Sequence, residues 1–299
     1  MRVLSIGDIN VDIILRSGFP PRGKQIVIDD YQVYGGGCAT NFALACARLG
    51  AKTKLMGKIG DDHWGKLLLK KLRENGVNTG DISVSSDIKT GITYAIVDEE
   101  ERSFITFRGG NAHFSITDIP LEKIRGDIVH IPSFFLLESL RPHYRRLMKL
   151  AKSNGALVSF DTGWDPFNRW RKTRYLLDYL KNANVFLPNL AEARMITGKT
   201  KASPKELAER LLKMGPEIVC IKLGKNGSLV ADHGGTHKIE PFEVEIVDTT
   251  GAGDVFNAAF MLGYLKTKDI SHSGRFASAA AAISITAVSY THLTLPTKA

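Results

Sequence analysis

The chain has 299 residues, 43% hydrophobic and 24% charged, with a formal net charge of +9. That length buries a core without covalent staples, while a mean hydropathy of −0.07 and the lack of any apolar run of about 18 residues argue against a membrane protein. The positive balance suits either a nucleic-acid partner or an anionic small substrate, and the three cysteines, Cys38, Cys46 and Cys220, form no C-x-x-C pair and fit free thiols in a reducing compartment.

From the N-terminus, the apolar stretch at residues 3–6 is cut short by Gly7 and Asp8. That is too early for a signal peptide, so a cytoplasmic location is expected and the stretch is predicted as a strand. Helical spacing follows at 40–49, a strand at 54–59, and a helix at 64–74 that stops at Asn75 and Gly76. The same rhythm resumes with a strand at 128–131, a helix at about 142–153, a strand at 157–160, a helix at about 170–181 and a strand at 185–187. This alternation predicts an α/β protein in three α/β/α layers around a mostly parallel sheet. Arg141, Arg145, Arg146, Lys149 and Lys152 recur at three- and four-residue spacing around Leu147, Met148 and Leu150. That is the solvated face of an amphipathic helix, and with no aromatic platform beside it no nucleic-acid partner is expected.

Two regions break the rhythm. Residues 26–33 look like a strand with no helix after it, and 91–97 pairs naturally with 103–107 across the polar turn at 98–102. The pattern predicts an α/β body from 1–12, 34–87 and 111–286, with insertions 13–33 and 88–110 forming a small β-sheet lid that excludes water on closing. Exposed lid strands can pair between subunits, so the sequence leaves open a homodimer through the lid or a monomer. An Ala-rich run at 279–282 is a tightly packed helix, and 287–299 is an atypical tail that looks foreign to the rest.

Asp248, Thr249, Thr250, Gly251, Ala252, Gly253 and Asp254 precede an apolar helix. A helix start carries unsatisfied N–H groups and the positive end of the dipole, and Gly251, Ala252 and Gly253 let a phosphate approach them. Asp254 in that turn can take the proton of an attacking hydroxyl, although a plain helix-start carboxylate explains the same pattern. No G-x-G-x-x-G follows the first strand, so a dinucleotide fold is not supported. Gly60 to Lys66 has Walker-like spacing, but Leu67 replaces the metal-binding hydroxyl and Asp61 and Asp62 repel phosphate, leaving a turn into the next helix.

Gly35, Gly36 and Gly37 open the helix that carries Asn41, where backbone can approach a ligand and the Asn41 amide can meet hydroxyls or merely cap the helix. Asn10 and Asp12 follow the first strand, where open α/β sheets place ligand groups. Together they suit a neutral, hydroxyl-rich ligand.

Gly36, Gly37, Ala39, Asn41, Ala43, Gly50 and Gly60, and then the run from Asp248 to Asp254, match in order the two signatures of the ribokinase-like (PfkB-type) carbohydrate and nucleoside kinases, which the chain resembles from Met1 to about Thr286. The resemblance implies an α/β core with a β-lid, ATP, Mg²⁺, and transfer of the γ-phosphoryl group to an alcohol. It makes Asp254 the general base, Gly251 to Gly253 the anion hole, and Asn10, Asp12, Gly36, Gly37 and Asn41 the acceptor site. Arg108, at the end of the lid hairpin, is either a group that reaches a substrate phosphate or carboxylate on lid closure or a surface arginine. Asn189 and Glu192 resemble the family's N-x-x-E motif, with Glu192 organising Mg²⁺ through water. Lys222, Gly224 and Gly227 resemble its L-G-x-x-G turn beside the nucleotide, with Thr249 on the same side, and Asp248 is where a monovalent cation such as K⁺ binds in some members. Asp161 begins a stretch, Thr162, Gly163, Trp164 and Asp165, that departs from the D-x-N-x-R of the sugar-acid and hexose branches. The acceptor is expected to be a sugar or related polyol, with a nucleoside kinase, or a binding protein without turnover, as alternatives.

Overall fold

Short β-branched runs become strands and longer amphipathic runs become helices in this computed structural model, which describes residues 1–98, 102–168, 170 and 176–286. Strand β1 (Arg2–Ile6) leads to β2 (Asn10–Arg16), β3 (Tyr31–Gly36) and helix α1 (Cys38–Arg48). Next come β4 (Lys52–Met56), β5 (Lys58–Gly60), α2 (His63–Glu74), β6 (Val77–Asn78) and β7 (Ser83–Ser85). The hairpin β8 (Gly91–Val97) and β9 (Arg102–Phe107) ends in the single turn α3 (Gly110–His113). The second half runs β10 (Ile128–Ile131), α4 (Tyr144–Ser153), β11 (Leu157–Phe160), α5 (Leu176–Leu180), β12 (Val185–Phe186), α6 (Leu190–Thr197) and α7 (Pro204–Leu212). It closes with β13 (Ile218–Lys222), β14 (Ser228–Asp232), β15 (Gly235–Ile239), α8 (Ala252–Thr267) and α9 (Ile270–Ser284).

Nine strands form one sheet in the order β15, β14, β13, β12, β11, β10, β1, β4, β6. The run from β13 to β6 is parallel, and β14 and β15 add an antiparallel edge. Successive side chains of a strand point to opposite faces. Val3, Ile128, Ile218 and Cys220 accordingly pack against Phe42 of α1 and the apolar faces of α8 and α9, while Leu4, Val129, Val219 and Ile221 pack against α4, α5, α6 and α7. Both faces are covered, which gives the expected three layers. In α4 the buried residues are Tyr144, Leu147, Met148 and Ala151, and Arg145, Arg146 and Lys149 face solvent.

A second sheet has the order β3, β2, β8, β9, mixed in direction because β2 and β8 run parallel. Val11 and Ile13 on one face pack with Ala43, Leu44, Leu68 and Leu72 of α1 and α2. The two-residue period puts Asn10, Asp12, Thr93 and Thr106 on the other face, Asp12 opposite Thr93 and Thr93 opposite Thr106.

Several boundaries differ from expectation. The strand expected at 26–33 forms over Tyr31–Gly36, while Val27 is 85% exposed. The apolar residues at 26–28 have no partner there, because the register against β2 sets Gly36 opposite Asn10. Asn10 and Asp12 lie in β2, on the small sheet itself, rather than just past a core strand. The expected strand at 54–59 divides at Gly57, where a Cβ would meet the Gly7 carbonyl, and β5 leaves the large sheet to pair with β7. Of the helix expected at 170–181, the part at 171–175 lies outside the described residues, as does the tail at 287–299.

Candidate active site

The N-termini of α1 and α8 converge beyond the carboxyl ends of β1 and β10. Asn41 in the first turn of α1 donates from Nδ2 to Asp254 Oδ2 at 2.9 Å, joining residues 213 positions apart. Asp254 is 8% exposed in the first turn of α8, behind Gly251 in a left-handed conformation at φ 70°. Burial pushes its pKa up to about 8; the Asn41 bond and Lys222 pull it down, and Asp161 and Asp8 push it further up. The other Asn41 atom, Oδ1, is buried without a hydrogen-bond partner.

The α1 start is built around Asp8, a residue the sequence reading passed over. Its carboxylate accepts from the Cys38 and Ala39 N–H groups at 3.1 and 3.0 Å and from the Ser133 hydroxyl at 2.7 Å. The turn between them needs Gly37, at φ 93°, where a Cβ would come within 2.7 Å of the Asp8 carbonyl. Gly36 faces Asp12 so closely that a Cβ there would overlap the carboxylate. Burial, with Asp8 nearby, raises the Asp12 pKa to about 7.

Asn10, 3% exposed, is held by a second residue missed in the sequence, Asn111 of α3. Asn111 Nδ2 donates to Asn10 Oδ1 at 2.6 Å. Arg108 stands apart from this group, its guanidinium 3.3 Å from Glu138 and 5.2 Å above the Phe167 ring.

On the other side of Asp254, Lys222 donates to Asp161 Oδ2 at 2.8 Å and to Asn257 Oδ1 at 3.1 Å, while Asn257 Nδ2 donates to Asp161 Oδ2 at 2.7 Å. Burial would lift the Asp161 pKa, but the charge and hydrogen bond of Lys222 outweigh it and hold Asp161 ionised. A Cβ built at Gly253 would touch the Lys222 ammonium at 3.8 Å, so this cation lies beside the Gly251 to Gly253 turn. Asn189 and Glu192 cap α6 reciprocally, each side chain accepting from the other's backbone N–H at 2.8 Å. Glu192 is 4% exposed, and burial followed by repulsion from Asp161 raises its pKa to about 7. Asp248 Oδ1 accepts from both the N–H and the hydroxyl of Thr250, at 2.9 and 2.8 Å. Gly224, Gly227, Thr249, Ala252 and Gly253 border a cavity of about 570 Å³, which buried Phe256 and the exposed side chains of Val244 and Ile246 also line.

The structure therefore brings together Asn41 with Asp254, Asn10 with Asp12, and Lys222 with Gly253, while Arg108 is engaged elsewhere. Asp161 had a visible signal in its place at the end of β11, whereas Asn257 had none beyond its helical spacing from Asp254.

A buried carboxylate at a helix start, with a lysine beside that turn and a large cavity next to it, suits phosphoryl transfer to a hydroxyl group. The chain belongs to the pfkB family of carbohydrate kinases, whose profile matches residues 1–298. It is 35% identical over 244 residues to an uncharacterized sugar kinase of Archaeoglobus fulgidus, covering 80% of this chain and 93% of that one. To the ribokinase of Haemophilus influenzae it is 31% identical over 288 residues, covering 94% and 91%. The fold matches that of Arabidopsis thaliana ribokinase complexed with ribose and ATP, with a TM-score of 0.80 and 26% identity over 96% of this chain and 92% of the other. The chain is thus a carbohydrate kinase with the ribokinase fold, and among its described residues no helix is long and apolar enough to cross a membrane.

Proposed function

We propose that this kinase moves the γ-phosphoryl group of ATP to a hydroxyl of a sugar or related polyol, with Asp254 as general base. The observation that carries the assignment is the buried Asn41–Asp254 bond, which sets a carboxylate that favours its protonated form at the mouth of an anion-binding helix start. Asp254 takes the acceptor proton, the oxygen attacks the phosphorus in line, and the Gly251, Ala252 and Gly253 backbone with Lys222 meets the charge that develops on the phosphoryl oxygens. Asn10, Asp12, Gly36, Gly37 and Asn41 hold the acceptor, and the free Asn41 oxygen is available to one of its hydroxyls. The nucleotide lies in the 570 Å³ cavity, between the Gly224 to Gly227 turn and Thr249, with Asn189 and Lys222 toward its phosphates.

Glu192 fits a role with Mg²⁺. Two buried carboxylates, Asp161 and Glu192, face a single lysine, and burial followed by repulsion from Asp161 raises the Glu192 pKa, so a further cation would be welcome beside it. When bound, Mg²⁺ supplies counter-charge to the phosphates, and one carboxylate with retained water suits its preference for oxygen ligands. Asp248 marks the place for K⁺ by the same family likeness. The small sheet acts as the lid, and Arg108 must leave Glu138 to reach a substrate as it closes.

A nucleoside acceptor has one observation in its favour, a cleft of about 420 Å³ rimmed by Phe104, Trp164 and Phe167. We further propose a cytoplasmic enzyme that dimerises through the small sheet, with its basic α4 face serving solvation rather than nucleic acid. The last point is checked by titrating duplex DNA at increasing salt, where tight, salt-sensitive binding would contradict it.

The deciding experiment measures ADP formed from ATP with D-ribose, 5-dehydro-2-deoxygluconate, D-fructose, inosine and adenosine, in KCl and in choline chloride. Saturable binding without ADP would make the protein a binder. Asp254→Asn is expected to lower kcat by about 10²- to 10⁴-fold with acceptor binding nearly intact.

A further inference from the structure

We propose that Asn111 is a positioning residue that fixes the polarity of acceptor recognition, so that Asn10 meets the acceptor only as a hydrogen-bond donor and Asp12 only as an acceptor. The inference rests on the assignment of Asn10 and Asp12 to the acceptor site.

An amide side chain can turn over and exchange its donor for its acceptor, and its orientation follows from its partners. Here the chain of partners begins at a group with no choice. The Ile9 backbone N–H can only donate, and it reaches Asn111 Oδ1 at 2.9 Å. The Asn111 nitrogen must then face the other way, where it donates to the Ile9 carbonyl at 3.2 Å and to Asn10 at 2.6 Å. The Asn10 atom it meets is therefore the oxygen. This turns the Asn10 NH₂ away from Asn111, 3.5 Å from the Thr93 hydroxyl, which in turn lies 3.3 Å from that of Thr106.

The pair is buried, Asn111 at 1% and Asn10 at 3% exposure. Gly91 presses against both amides with no space for a Cβ. Neither side chain can turn over alone without setting two oxygens or two NH₂ groups against each other. Two residues along the same face, the Asp12 carboxylate stands over Gly36 and, once ionised, offers only acceptors. The site thus reads two neighbouring groups of opposite character. An oxygen that accepts, from a hydroxyl or a carbonyl, fits beside Asn10, and a hydroxyl that donates fits beside Asp12. An ammonium group, which only donates, is rejected beside Asn10, so hydroxy and keto sugars are admitted there and amino sugars are not.

Two substitutions in the full-length protein separate polarity from mere support. Asn111→Asp still accepts from Ile9 N–H but sets an oxygen against Asn10 Oδ1, forcing the Asn10 amide over. Asn10→Asp keeps the bond from Asn111 but presents an oxygen to the ligand. Each is expected to raise KM about 10- to 100-fold for the fastest acceptor among D-ribose, D-fructose and inosine, with the KM for ATP unchanged. Asn10→Asp should also keep the wild-type melting temperature. If Asn111 only braces the fold, Asn10→Asp retains the brace and leaves the acceptor KM unchanged, and that result overturns the proposal. A second readout needs no acceptor. The Asn10 side-chain NH₂ signals in a ¹⁵N–¹H spectrum, identified by their loss in Asn10→Asp, should shift in Asn111→Asp, and unmoved signals would overturn the proposal as well. Should the wild-type protein turn over none of the three compounds, the amide spectrum still decides the polarity, and the wider acceptor panel decides the acceptor assignment.

Discussion

A proposed base whose pKa burial lifts to about 8 would place its own limit on catalysis. As the proposed base, Asp254 would have to be charged to accept a proton, so kcat/KM should rise with pH and level off above an apparent pKa of about 8. The Asn41 amide donates to the charged carboxylate and lowers that pKa. Asn41→Leu removes the donor, disfavours the charged form and should move the acidic limb to higher pH; a limb that stays in place would separate Asn41 from the ionisation of the base. Asp254 and Asn41 were legible in the sequence because each sits in a run of small residues that opens a helix. Asp8, Asn111 and Asn257 were not. A lone polar residue beside glycine, or inside a helix, carries no mark of a partner 125, 102 or 96 positions away.

Among the elements, α2 shows how one cap also ties a helix to the small sheet. Asp62 accepts from Gly65 N–H at 2.8 Å as the cap of α2. It also accepts from the Thr90 N–H and hydroxyl at 2.8 and 2.7 Å, just before β8 enters the small sheet. Burial would raise its pKa, but these bonds outweigh it and hold the carboxylate ionised. Asp62→Ala loses the cap and strands the Thr90 groups, a destabilisation of about 2–3 kcal/mol that urea unfolding would measure. The helix at 64–74 and its end were readable from spacing and Gly76, and β8 and β10 were placed to the residue. The shift of the strand expected at 26–33 to Tyr31–Gly36 was not, because β-branched residues mark a strand only where a neighbour in register completes it.

For the whole molecule, alternating strands and helices announced the layers, but the sheet order was hidden, since β1 lies between β10 and β4 through contacts remote in sequence. The small sheet ends in the unpaired edges of β3 and β9, with Tyr31, Ile105 and Phe107 each at least half exposed. A dimer through this surface should give twice the chain mass in light scattering, and Ile105→Lys should return it to a monomer. The cluster of carboxylates around Lys222 has a consequence of a different kind. Burial lifts the pKa of Glu192 to about 7 and that of Asp254 to about 8, so at neutral pH the resting site stores protons. Any cation that settles among these groups must expel part of that store. The heat of nucleotide binding in a calorimeter should therefore change with the ionisation enthalpy of the buffer, phosphate against Tris, and the slope counts the protons that leave.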